Sequence, residues 1–94
     1  MDRREWAVVI ARMWEAVALE GCLPDAEEHC RDVVVPAARE LAGCRGAEWF
    51  TDGEARVVVI TRWEDRAQAE DFAEEPPMLP VLSRHHAWTF TVGG

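Results

Sequence analysis

The sequence predicts an α+β domain in the order β-α-β-β-α-β, with a four-stranded antiparallel sheet carrying two helices on one face. Three observations support this. Runs rich in β-branched and aromatic residues occur at 6–14, 54–63 and 87–92, an apolar stripe of helical period spans 26–41, and an Asp52-Gly53 pair separates two strand-like segments. The 94 residues are expected to form one domain, 1–94, because a chain of this length has no room for a second core.

The first strand is read over 6–14. Trp6, Val8, Ile10, Arg12 and Trp14 share one face, and Ala7, Val9, Ala11 and Met13 share the other. Both faces are apolar, as in a strand covered on both sides. Gly21 closes the next loop, and Pro24 with Asp25 opens a helix, Pro being well tolerated in a first turn. Ala26, Cys30, Val33, Val34, Ala37, Ala38 and Leu41 then recur at three- and four-residue steps. Pro36 lacks a backbone donor and should kink or interrupt this helix, and Gly43 should terminate it. Strands follow at 47–51 and 54–63, joined at Asp52-Gly53, a pair that favours the positive φ of a tight hairpin turn. Asp65 can cap a second helix, with Gln68 completing a capping box and Ala69, Phe72 and Ala73 on the buried side. Pro76-Pro77 ends it, and Glu70, Asp71, Glu74 and Glu75 read as its solvated face. The last strand is expected at 87–92.

Composition narrows the partners. Eighteen acidic residues against ten Arg and no Lys leave a net charge of −8. Nucleic acid and anionic membrane surfaces are therefore disfavoured, since both are bound by clustered positive charge. The first apolar run, Trp6 to Ala11, is too short for a signal peptide or a membrane span, so a cytoplasmic location is expected. Cys22, Cys30 and Cys44 lack CxxC spacing. His29-Cys30 alone falls short of a zinc ligand set, so free thiols and no metal are expected.

The element order is the split β-α-β arrangement of ferredoxin-like folds, in which right-handed crossovers put both helices on one sheet face. The opposite face is apolar yet has no helix left to cover it. A homodimer packing sheet against sheet would cover it and enclose a cavity. With 49% hydrophobic residues, five Trp and three Phe, the chain carries a large apolar load for its size.

The segment Val57-Val58-Val59-Ile60-Thr61-Arg62-Trp63-Glu64-Asp65 resembles the third strand of the antibiotic biosynthesis monooxygenase family, which ends in Trp before an acidic or polar helix cap. Ala42-Gly43-Cys44-Arg45-Gly46 resembles that family's glycine-marked connection from helix to strand. The resemblance covers nearly the whole chain and implies a dimeric α+β barrel. It also implies a small-molecule substrate, because members include cofactor-free oxygenases that turn aromatic polyketide phenols or anthrones into quinones. Related barrels bind and degrade haem, and others have no known catalysis. The oxygenase chemistry needs a dry aromatic cavity, a base and a positive group near the developing oxyanion, and no metal or flavin. No cofactor is therefore expected.

The residues that fit those roles can be named. Trp63 matches a Trp that lines the pocket in several relatives, and equally reads as a core residue at a strand end. Trp14 and Trp88 are further wall candidates, with Ile10 and Phe90 on the corresponding strand faces. Arg12 interrupts an apolar face, so it either points into a polar cavity to stabilise an anion or is satisfied by an acidic side chain. Its position is near that of an Asn in haem-degrading relatives, and this chain has no Asn. Of His85 and His86, alternation puts His86 beside Trp88 and Phe90, where it is the candidate base, with His85 a candidate contact. The expected function is a cofactor-independent monooxygenase acting on a flat aromatic molecule. The alternatives are a non-catalytic dimer that binds a hydrophobic ligand or haem, and an oxygen-independent cyclase.

Overall fold

Residues 23–40 wind as one helical rod across a four-stranded antiparallel sheet in the computed structural model, which describes residues 9–74 and 76–92. The elements are β1 (Val9–Ala18), α1 (Leu23–His29), a π turn (Cys30–Val34), α2 (Val35–Glu40), β2 (Cys44–Thr51), β3 (Arg56–Trp63), α3 (Arg66–Asp71), a 3-10 turn (Pro76–Val81) and β4 (Leu82–Val92). The sheet order is β2-β3-β1-β4 with every pairing antiparallel, which is the predicted ferredoxin-like topology. Trp6, Val8 and the rest of the expected first strand before Val9 lie outside the described residues.

Side-chain alternation sorts the sheet into two faces. Ile10, Trp14, Ala16, Val57, Val59 and Trp63 turn toward the helices, where they meet Ala26, Cys30, Val34, Val35 and Ala38. Each fully buried aliphatic side chain contributes about 1.5–3 kcal/mol. Trp14, Val57, Val59 and Trp63 therefore hold the centre of the core. The other face presents Met13, Val58 and Ile60, half-buried, beside the exposed Phe50, Trp88 and Phe90. Strand apolarity on both faces is thus observed, with a helical layer on only one of them.

Several local expectations are corrected. The α-helix is interrupted next to Pro36 as expected, but by a π turn and not by a break in the rod. The rod widens one turn earlier, where the Val35 N–H bonds the Cys30 carbonyl five residues back, so the helix passes a residue that has no donor. The hairpin is not a two-residue turn. β2 ends at Thr51 and β3 starts at Arg56, and of the pair only Gly53 has positive φ (76°). Asp52 instead organises the loop, its Oδ1 accepting from the backbone N–H of Glu54, Ala55 and Arg56 at 2.8, 3.0 and 3.0 Å. Those three donors pull its carboxyl down to about 2. β4 begins five residues earlier than expected, so His85 and His86 are strand residues and not part of a loop.

Helix α3 also departs from expectation. Asp65 caps it, accepting from the Gln68 N–H at 2.9 Å, but the reciprocal half of the capping box does not form. The helix stops at Asp71, well before the prolines, because Phe72 turns extended (φ −76°, ψ 124°) and carries the chain back over the sheet. Glu74 is consequently off the helix and 1% exposed, so it is no part of a solvated face.

Candidate functional site

A cleft of about 260 Å³ opens on the helix side of the sheet, between the end of α2 and α3. Trp63, the last residue of β3, forms its floor, with Phe72 beside it at 5.4 Å between ring centroids and a tilt of 44°. Alternation along β3 aims Trp63 inward with Thr61, and the indole Nε1–H donates to Thr61 Oγ1 at 2.7 Å. That bond spends the only donor of the indole, leaving it to act through its ring. Leu41, Ala42 and Ala73 complete the apolar wall, and Gln68 and Asp71 supply its polar groups. Gln68 Oε1 is buried and has no hydrogen-bond partner among the described residues.

Arg12 occupies the helix-side face next to this region but is tied up. Its Nε donates to both carboxylate oxygens of Glu74 at 3.1 Å, and its Nη2 donates to Oε1 at 2.9 Å. The two side chains are 13% and 0% exposed. The fork geometry and the burial make this a structural tie between β1 and the strand-like segment after α3. Of the two readings of Arg12, the acid-satisfied one holds. Cys30 lies in the same buried region, where burial above all, with the nearby Glu74 and Glu27 adding, pushes its thiol up to about 12.

The remaining expected site residues separate. His86, Trp88 and Phe90 project from the face away from the helices, across from Glu15, Met13 and Ala11 of β1. Arg12 and His86 therefore lie on opposite faces of the sheet, and one ligand atom cannot touch both within a protomer. Trp14 and Ile10 are core, at 0% and 5% exposure, and neither lines the cleft. His85 faces the helix side of edge strand β4, its ring 6.4 Å from that of Trp14. A second hollow of about 350 Å³ does gather His85, His86 and Trp88, with Glu15, Val17 and Arg84. Its core is the His86–Trp88 contact, 4.3 Å between centroids. Arg56 and Arg62 point to this open side and pair with strand carboxylates, Glu15 at 4.0 Å and Glu48 at 3.0 Å.

Of the expected set, then, only Trp63 lines the cleft. Sequence reading missed Glu74, Gln68 and Asp71. Glu74 sat in an acidic run that looked solvated, and only the early end of α3 turns it inward. Gln68 was legible as a capping residue, and its place in the cleft depends on how α2 and α3 are packed.

Comparisons with known proteins fit this geometry. A profile of the family described as antibiotic biosynthesis monooxygenase matches residues 7–80. No curated protein sequence matches the chain significantly. Among solved structures, a protein from Shewanella oneidensis is 18% identical with a TM-score of 0.77, covering 92% of each chain. A structure described as an antibiotic biosynthesis monooxygenase is 16% identical with a TM-score of 0.69, covering 90% of this chain and 97% of that one. A heme-degrader from Mycobacterium tuberculosis, with two hemes in its active site, is 20% identical with a TM-score of 0.64, covering 88% and 94%. These three likenesses establish the shared fold, and the profile match over most of the sequence establishes more: the chain belongs to the antibiotic biosynthesis monooxygenase family.

Proposed function

We propose that the protein is a cofactor-independent monooxygenase that oxidises a flat aromatic molecule held against Trp63 and Phe72. The observation that carries the reading is an aromatic-floored cleft on the helix side of the sheet in a chain of this family. Stacking and area burial favour a flat ring there. For an anthrone, the reaction balances without a reductant. The methylene carbon gives up two hydrogens and gains one oxygen atom of dioxygen, and the second oxygen leaves as water. Asp71 can take the first proton, and the Gln68 carboxamide can hydrogen-bond a polar substituent of the ring. A homodimer belongs to the reading, because Phe50, Trp88 and Phe90 leave an apolar sheet face exposed.

The cleft gives a haem reading little support. Among the described residues its lining holds no His, Cys, Met or Tyr to bind the iron and no cation to meet the propionates. Non-catalytic binding of a hydrophobic ligand is the second reading, favoured by the engagement of Arg12 with Glu74. Among the described residues no helix is long and apolar enough to cross a membrane.

Oxygen uptake with an anthrone, followed alongside quinone absorbance, decides between the two. The rate is counted above the protein-free background, since anthrones also oxidise unaided. A protein-dependent rate that falls in Trp63→Phe and Asp71→Asn supports the oxygenase. Saturable binding with no rate above background leaves the binding reading in its place.

A further inference from the structure

We propose that the cleft at Trp63 selects flat ligands whose polar end is a hydrogen-bond donor, neutral or cationic, and discriminates against carboxylates. The proposal rests on the reading above that this cleft is the ligand site, and it specifies the chemistry of the occupant.

The charge pattern supplies the first argument. Among the described residues the lining includes one carboxylate, Asp71, and no Arg, Lys or His. The cleft is also bordered by the C-terminal end of the helical rod, since Leu41 and Ala42 follow Glu40, the last residue of α2. The C-terminal end of a helix carries partial negative charge from its unpaired carbonyls. Asp71 is itself the last residue of α3, so a second helix ends at the cleft. Arg12, the cation expected to serve a ligand, is bound to Glu74. An anion entering the cleft meets no compensating charge among the described residues, whereas an ammonium or a hydroxyl meets acceptors.

The second argument is Gln68. Its side chain packs so closely on Gly43 that a Cβ there would collide with the carboxamide, and Gly43 (φ 89°) has none. The buried Oε1 has no donor among the described residues, which leaves a buried acceptor unmet. The terminal amide torsion is broad and roughly two-fold, so a half-turn presents the oxygen to the cleft. A ligand O–H or N–H there satisfies an acceptor that the protein leaves open. The Trp63 Nε1–H, already given to Thr61, cannot serve a ligand acceptor in its stead.

The test uses one ring system with four substituents: 2-naphthylmethylamine, 2-naphthol, 2-naphthoate and plain naphthalene, titrated at pH 7. The readout is the Trp63 indole N–H signal in proton–nitrogen correlation spectra, assigned with Trp63→Phe. The amine and the naphthol are expected to bind at least about tenfold more tightly than the naphthoate. Asp71→Asn, on an exposed position, should shrink the amine–naphthoate gap. Gln68→Leu should weaken the naphthol by about threefold to tenfold and leave naphthalene unchanged. If the naphthoate binds as well as the amine, or if Asp71→Asn leaves the amine–naphthoate gap unchanged and Gln68→Leu leaves the naphthol affinity unchanged, the selectivity is wrong and the cleft remains the ligand site. If no probe moves the Trp63 signal, the ligand-site reading fails and the selectivity falls with it.

Discussion

Replacing Glu74 with Ala removes one side chain and strands another. Arg12 then keeps a guanidinium at 13% exposure without the carboxylate that accepts its Nε and Nη2 hydrogens at 2.9–3.1 Å. Breaking a buried pair by deleting one partner costs about 3–5 kcal/mol, chiefly the penalty of leaving the other charge uncompensated. A domain of 94 residues is stable by roughly 5–14 kcal/mol, so the loss takes a large part of the total. At roughly 4–8 °C per kcal/mol for a domain of this size, Tm should fall by about 12 °C or more. Circular dichroism melts and urea titrations at one fixed protein concentration measure it, since dimerisation would make Tm depend on concentration. The decisive comparison is the double substitution Arg12→Met with Glu74→Leu. Removing both charges leaves neither member of this pair facing an uncompensated partner, so it should lie above the single Glu74→Ala variant. The reasoning is refuted if Glu74→Ala costs less than about 1 kcal/mol, the range of a solvated surface pair. It is equally refuted if the double variant is no better than the single one.

Two further outcomes are expected. The Asp52 carboxyl is held at about 2 against an ordinary 3.8, so its contribution is complete above that ordinary value and disappears as the pH falls through the folded one. Asp52→Asn keeps an acceptor in the loop but does not titrate. The stability gap between parent and variant should therefore close as pH is lowered from 4 toward 2, and a gap independent of pH would contradict the backbone-donor account. Cys30, with its thiol pushed up to about 12, is on the order of one ten-thousandth thiolate at pH 8 and is fully buried. An aromatic disulfide reagent should titrate Cys22 and Cys44 in the folded protein and reach Cys30 only after denaturation, whereas three rapid equivalents would show that the core opens readily.

The sequence by itself determined the fold. Period-2 and period-3.6 patterns record which face of each element is apolar, and those faces admit only the β-α-β-β-α-β order on a single sheet. The same parity put His86 on one face with Trp88 and Phe90, and the tertiary structure decided that this face points away from the helices. Tertiary structure decided the site. Whether Arg12 serves a ligand or a protein carboxylate depends on Glu74, 62 residues away in the chain, and on α3 ending at Asp71 instead of running to the prolines. A break of that kind leaves little local signal, because what accompanies it is the packing of Phe72 on Trp63, a contact with another element. Gln68 reads as a capping residue in sequence and becomes a cleft residue only when α2 brings Gly43 against it. Periodicity encodes which way a side chain points, whereas a site requires knowing what stands opposite, and that is set by packing between elements distant in sequence.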